Sequence, residues 1–341
     1  MTAIALDVMG GDRAPAEILA GAKLAASDGV DLLLVGDRSI LQPELDRLEA
    51  ELTIVDASEA IGMGEDPTRA LREKPDASIN VAARLVRDRS AGAFVSAGST
   101  GAAMAAATIL VGRARGVLRP ALASVIPTPE TPTLILDCGA NTEVKAEHLI
   151  QFGVMGSVAA EIFFGMTTPR VGLLNIGEEP GKGRALEKEA FPLMAQAPFN
   201  FIGNVEGRDL GGGKADVIVT DGFVGNVALK TTEGIAHMVS RLVGDASGSL
   251  PAEVRQRLLE AFSPVGSRLD YENTGGAHLL GVNGVVVIAH GSSGRVAIAN
   301  ALRMARDGLA RDLVGEMKRR LAQVAPAATK RQLVDERPAS T

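Results

Sequence analysis

Hydrophobic and polar positions fall in blocks along this chain rather than alternating residue by residue. Short aliphatic runs, each closed by Gly, Pro or Asp, predict strands at Ile4–Leu6, Asp31–Val35, Leu52–Val55, Gly92–Val95, Ala121–Ile126, Thr133–Asp137, Arg170–Leu174, Asn200–Ile202, Val217–Thr220 and Gly284–Ala289. Runs without polar interleaving suit strands covered on both faces. Helical periodicity separates them, as at Ala16–Ser27, Ser78–Arg89, Leu149–Phe164 and Asn226–Val243. A strand-then-helix rhythm predicts an α/β fold: a mostly parallel sheet with helices on both sides. From Ala325 the chain turns Ala/Pro-rich and charged, which predicts a frayed tail over 326–341.

Two uncharged stretches, Ala91 to Gly112 and Asn273 to Gly294, reach the ~20-residue length of a membrane-spanning helix. The first is mostly Ala, Gly, Ser and Thr, and glycines interrupt the second, so each reads as strand, turn and helix start. At 341 residues the chain allows one large or two closely joined domains on a prior of ~150 residues each, and we take 1–325 as one domain. The net charge of −6 argues against a nucleic-acid binder. A single cysteine, Cys138, excludes an intrachain disulfide framework and fits a reducing cytosol. The N-terminus lacks a charged leader and begins at once with a strand, so no secretory signal is read and a cytoplasmic location is expected.

The candidate chemistry lies where strands end. The first strand delivers Asp7, then Gly10, Gly11 and Asp12, with Pro15 beyond. Paired glycines let backbone N–H groups face an anion, and Asp12 is placed to cap the helix that follows. The loop carries neither a dinucleotide nor a P-loop fingerprint, which disfavours a nicotinamide dehydrogenase. The strand at 92–95 runs into Ser96, Gly98, Ser99, Thr100 and Gly101, a hydroxyl-rich turn suited to phosphate or to plain helix capping. Further strand ends supply Asn141, then Asp221, Gly222 and Asn226, then His290 and Ser292. In an open parallel sheet such ends share one edge, so these five turns predict a single crevice. Lys182 sits between glycines after the strand at 170–174, where it can close on an anion or remain a solvated lysine paired with Glu178 or Glu179. The four histidines show no paired metal-ligand spacing, and neither a metal nor another cofactor is expected.

In the stretches Ile4–Asp12, Asp66-Pro67 with Arg72 and Lys74, Ser96–Ala102, Arg119–Ala121, Gly139–Asn141, Gln151-Phe152 with Met155-Gly156, Leu173–Glu179, Thr220–Asn226, Gly275–Ala277 and His290–Ser293, the chain resembles the PlsX family of acyl-carrier-protein:phosphate acyltransferases. The matches run in family order over about residues 4 to 300. The resemblance implies transfer of a fatty acyl group from acyl carrier protein to inorganic phosphate, giving acyl phosphate for phospholipid synthesis. It also implies a three-layer α/β/α sandwich like that of phosphate acetyl- and butyryltransferases and isocitrate or isopropylmalate dehydrogenases, a homodimer, and peripheral membrane contact. A membrane glycerol-3-phosphate acyltransferase that consumes the product follows as a partner. Three departures stand out: Ser99 replaces a usual Asn, His278 a usual Pro, and Cys138 an aliphatic residue.

Such a reaction needs binding, orientation and a place for the developing oxyanion more than covalent help. Lys182 and Asn226 are the expected directed donors, and His290 the expected acid for the leaving thiol or a hydrogen bond to phosphate. A covalent acyl-cysteine on Cys138 is the rejected alternative, since a lone strand-end thiol is usually a small buried hydrophobe. An acidic carrier protein needs a local basic patch, expected at Arg113, Arg115 and Arg119 or at Arg255 and Arg257. Leu250, Val254, Leu258 and Phe262 recur every fourth residue, making an amphipathic tip at about 245–270 for a membrane or a dimer surface, or for ordinary core packing. Coenzyme A as acyl donor, and a non-catalytic scaffold of lipid synthesis, remain the alternatives.

Overall fold

Strand β1 (Ile4–Asp7) is buried on both faces because its side chains divide between two apolar layers. Ile4 and Leu6 enter one core cluster and Ala5 the other. The same division runs across the protein, whose computed structural model describes residues 2–126, 128–129, 131–269 and 274–324. The expected tail at 326–341 lies outside the described residues.

The remaining strands are β2 (Leu32–Gly36), β3 (Thr53–Asp56), β4 (Ala93–Ser96), β5 (Ala121–Ile126), β6 (Thr133–Leu136), β7 (Arg170–Leu174), β8 (Asn200–Val205), β9 (Val217–Val219), β10 (Ala277–Leu280) and β11 (Val285–Ile288). They form one 11-stranded sheet in the order β3-β2-β1-β4-β11-β10-β5-β6-β9-β7-β8. One apolar layer holds α1 (Ala16–Ser27), α2 (Arg38–Arg47), α6 (Ala146–Phe164), α7 (Ala185–Met194), α10 (Arg295–Ala310) and α11 (Leu313–Val324). The other holds α3 (Pro67–Glu73), α4 (Ser78–Arg87), α5 (Thr100–Ala106) and the start of α8 (Gly222–Gly248). The expected α/β class, with helices on both sides of a mostly parallel sheet, is the one observed.

Two features differ from the sequence reading. The segment from 274 onward is a hairpin of β10 and β11, not a single strand with turns. Its first strand, Ala-His-Leu-Leu, lacks a β-branched residue and lies between glycines, so pairing on both sides rather than propensity makes it a strand. The pairings β11–β10, β10–β5 and β5–β6 are antiparallel. Consequently β1, β2, β3, β4 and β11 point one way and β6, β7, β8 and β9 the other. The five strand ends cannot share one edge. Four of them, after β4, β6, β9 and β11, meet instead across a face of the sheet, over the antiparallel join.

Beyond this layer α8 continues outward and packs on α9 (Ala252–Leu269). This helical pair exposes Ile235, Met238, Leu242, Val254, Leu258 and Leu259, while Phe262 is half-buried. Among the described residues no helix is long and apolar enough to cross a membrane.

Candidate active site

At the ends of β1, β4 and β11 three loops converge. Asp7 and Ser96 occupy the same level of neighbouring strands. Ser78 Oγ, at the first residue of α4, donates to Asp7 Oδ1 at 2.6 Å, and Ser96 Oγ donates to Oδ2 at 2.7 Å. Ser96 Oγ in turn accepts the Gly98 amide at 3.0 Å. Burial pushes the Asp7 carboxyl above its usual value, against the hydroxyls that favour the anion. Gly10 allows the close approach: a Cβ there would lie 2.6 Å from Asp7 Oδ2 and 2.8 Å from the Gly98 nitrogen. Gly11 adopts φ +108°, and the Asp12 amide donates to the Gly291 carbonyl at 2.8 Å, tying the first loop to the last. Asp7, Ser96 and Gly98 therefore brace one another. The expected cap by Asp12 is not made: Pro15 occupies the position before α1, and the Arg13 carbonyl accepts the Glu17 amide at 3.2 Å instead. Ser99 precedes α5 without a capping bond from its side chain.

A second nest forms where β6 and β9 end. Asp137 Oδ1 accepts the amides of Leu122 at 3.0 Å and Ala140 at 3.0 Å, and Oδ2 accepts the Asn141 amide at 2.7 Å. Asn141 Nδ2 also donates to Asp137 Oδ2 at 2.8 Å and to the Pro120 carbonyl at 2.7 Å, so this side chain fastens the loop. The Gly222 amide donates to the Asn141 carbonyl at 2.8 Å. Gly225 meets the Asp137 carbonyl so closely that a Cβ would stand 1.8 Å away. Asp221 caps α8 by accepting the Val224 amide at 2.9 Å, and its other oxygen pairs with Arg184. Arg184 also holds Glu187, with Nε 3.0 Å from Oε1, and these carboxylates push the guanidinium pKa further up.

Between the two nests lies a cavity of about 370 Å³ over β5 and β10. Thr100, Gly139, Asn226, Lys230, His290 and Ser293 are among its walls. Asn226 is exposed on the first turns of α8 and its side chain has no hydrogen-bond partner among the described residues. His290 Nδ1 lies 2.7 Å from Ser292 Oγ, and the Ser292 amide points at the same nitrogen from 3.3 Å; with that amide as donor, the neutral ring carries its proton on Nε2. Cys138 also reaches this cavity, but its thiol donates to the Leu122 carbonyl at 3.0 Å, and burial, aided by Asp137, pushes its pKa up. A thiol held neutral in this way is a poor nucleophile.

A larger cavity of about 540 Å³ continues along the same face, with Met104 of α5 common to both. Arg113, Arg119 and Asn141 line it, whereas Arg115 does not. Arg255 and Arg257 are exposed on α9. Lys182 lies outside both linings: half-exposed in the loop after β7, its Nζ stands 4.0 Å from Glu179 Oε2. Glu178 turns instead to Lys214 at 2.7 Å.

Two participants, Ser78 and Arg184, escaped the sequence reading, and Asp137 entered it only as the end of a strand. Ser78 and Arg184 act across 71 and 37 positions, so no local pattern marks them. Asp137 ends a strand before Cys-Gly-Ala-Asn, and a carboxylate ahead of a glycine turn was its available signal.

A family model described as "Fatty acid synthesis protein" matches residues 2–315. The chain belongs to that family, PlsX. Among curated relatives, the phosphate acyltransferase of Heliobacterium modesticaldum is 50% identical over 322 residues, covering 92% of this chain and 96% of that protein. The phosphate acyltransferase of Desulforamulus reducens is 47% identical over 325 residues, covering 94% and 98%. Among solved structures, the EutD phosphotransacetylase from Staphylococcus aureus aligns with a TM-score of 0.60 at 17% identity, over 90% of this chain and 93% of that one. A branched-chain phosphotransacylase from Enterococcus faecalis gives 0.55 at 15% identity, over 89% and 98%. At such identities these structures establish a shared fold for this PlsX member.

Proposed function

We propose that this PlsX member transfers a fatty acyl group from the thioester of acyl carrier protein to inorganic phosphate, in the 370 Å³ cavity between the two nests. The observation that carries the reading is the meeting of Asn226, Thr100 and His290 in that cavity, in a chain 50% identical to a phosphate acyltransferase. A phosphate oxygen adds to the thioester carbonyl, whose oxygen takes up the negative charge and is met by the Asn226 amide. The C–S bond then breaks, phosphate keeps the acyl group, and the sulfur leaves as a thiolate that accepts a hydrogen bond from the His290 Nε2–H. A thiol of pKa ~8.5 leaves well enough that this hydrogen bond gives a modest gain. The oxyanion donor carries more of the rate. Lys182 supports phosphate capture from the loop after β7 once it leaves Glu179. The basic lining of the neighbouring cavity supports an acidic carrier as donor, and the exposed apolar residues of α8 and α9 support a homodimer or peripheral lipid contact.

Acyl phosphate should appear by mass spectrometry when the purified chain meets acyl carrier protein thioester and phosphate, and should vanish when phosphate is omitted. Replacing Asn226 by Ala should lower kcat/KM about a hundredfold. Absence of phosphate-dependent product from the folded wild type excludes this reading, and an unaltered rate in the Asn226 variant excludes its assigned role.

A further inference from the structure

The 540 Å³ cavity has a feature that acyl transfer to phosphate does not require. Its lining contains Arg113 and Arg119 but no Asp or Glu, although the chain as a whole carries a net charge of −6. Arg113 is steered by a 2.7 Å bond from Nη1 to the Leu118 carbonyl, and no carboxylate pairs with Arg119 among the described residues. His148, in the first turn of α6, lines the same cavity. The Lys145 amide donates to His148 Nδ1 at 3.0 Å, so the ring proton belongs on Nε2. Burial, with Arg119 and Lys145, holds this imidazole below its ordinary pKa, and the neutral ring donates one hydrogen bond. The positive end of the α6 dipole adds to the same field.

Place in the fold then matters. Leu279 lines this cavity, and Ala277, two residues earlier on the same face of β10, lines the cavity of Asn226 and His290. Cation-rich and catalytic compartments therefore lie end to end, with Met104 as their common wall. A thioester donor built on phosphopantetheine has the same layout: a reactive sulfur at one end of a slender arm and a phosphate at the other.

We infer that Arg119, Arg113 and His148 form a subsite for the phosphate of the phosphopantetheine arm, leaving the thioester in the neighbouring cavity. The inference rests on the acyltransfer reading above and adds the group that the enzyme reads on its donor. Arg119 supplies charge and paired donors, Arg113 a second charge, and His148 Nε2 a directed neutral donor. Since carrier protein and coenzyme A both present this phosphate, the subsite serves either source.

The test compares acyl-phosphopantetheine with acyl-pantetheine, which lacks the phosphate. For the wild type the ratio of their kcat/KM values should be about ten to a hundred, and Arg119→Ala should bring it close to one. Arg119→Lys should restore part of the ratio, and His148→Gln, which keeps a side-chain N–H donor, should retain more than His148→Leu. In a parallel pair, acyl carrier protein and acyl-CoA should suffer similar losses in Arg119→Ala. A wild-type ratio near one, equal loss on both synthetic donors, or a loss confined to the carrier-protein thioester would each overturn the subsite. Should the wild type consume no thioester at all, calorimetric binding of phosphopantetheine against pantetheine still decides the matter. The subsite requires tighter binding of the phosphorylated compound, and Arg119→Ala must erase the difference.

Discussion

Asp7 and Asp137 are both buried at the ends of strands in the middle of one sheet, yet they are held by different means. Asp7 binds two hydroxyls from separate elements, Ser78 on α4 and Ser96 on β4, beside the Met9 and Gly10 amides of its own turn, so it clamps pieces far apart in the chain. Asp137 binds chiefly main-chain N–H groups, three of which belong to the loop that immediately follows it, Gly139, Ala140 and Asn141. The first arrangement closes on itself. The second stiffens a loop whose Gly139 remains a wall of an open cavity. A clamp between elements makes a foundation, whereas a carboxylate under its own loop makes a rigid rim for the cavity.

The strongest way to break this comparison is Asp137→Ala. It leaves several buried N–H groups without an acceptor and should lower unfolding stability by ~3–5 kcal/mol in urea titration. Catalytic efficiency of the folded fraction should fall as well, because the rim loses its shape. Asp7→Ala should follow with ~2–3 kcal/mol, since two hydroxyls can turn to other partners more easily than fixed amides can. An Asp7 variant that proves more damaging than the Asp137 variant would reverse the assignment of clamp and rim.

A pH series sharpens the same contrast. Burial raises Asp7 above 3.8, so the folded state holds that proton more firmly than the unfolded one. Its favourable contribution is complete below about 3.8 and disappears as pH rises through the folded value. The stability of wild type relative to Asp7→Asn should therefore fall as pH rises above about 4. Glu17 behaves oppositely. Hydrogen bonds from Arg295 lower its pKa to about 2, joining α1 to α10. Its contribution is present above about 4.5 and is lost as pH falls toward 2. As this pair sits at the surface, Glu17→Gln should cost only about 0.5–1 kcal/mol at pH 7 and nearly nothing at pH 2. A larger loss at pH 2 than at pH 7 would contradict the sign.

Much of the fold is legible in the order of residues. The runs at 121–126 and 170–174 announce their strands by aliphatic, Gly- or Pro-bounded composition, and α1 is readable from end to end. The hairpin strand β10 is not, because its reason to be extended lies in β5 and β11 rather than in Ala-His-Leu-Leu. The same limit applies to the site. Asn226 and His290 can be picked out as polar residues at glycine turns, and both reach the cavity. Asp7, Ser96 and Asn141 look identical by that criterion, yet their polar atoms are taken up by internal bonds.

The linear sequence by itself determined the class of this protein: apolar runs of strand length, helical periodicities between them, and glycine turns rich in donors at their junctions. These properties depend on neighbours a few residues apart, where steric and hydrogen-bonding preferences act directly. Tertiary structure alone decided which way each half of the sheet runs, which carboxylates become braces, and which cations are left facing a cavity. The physical reason is that a side chain's role depends on whether its hydrogen bonds and charge are already matched. For Asp7, Asp221 and Arg184 these partners arrive from 37 to 89 positions away, and only folding brings them there.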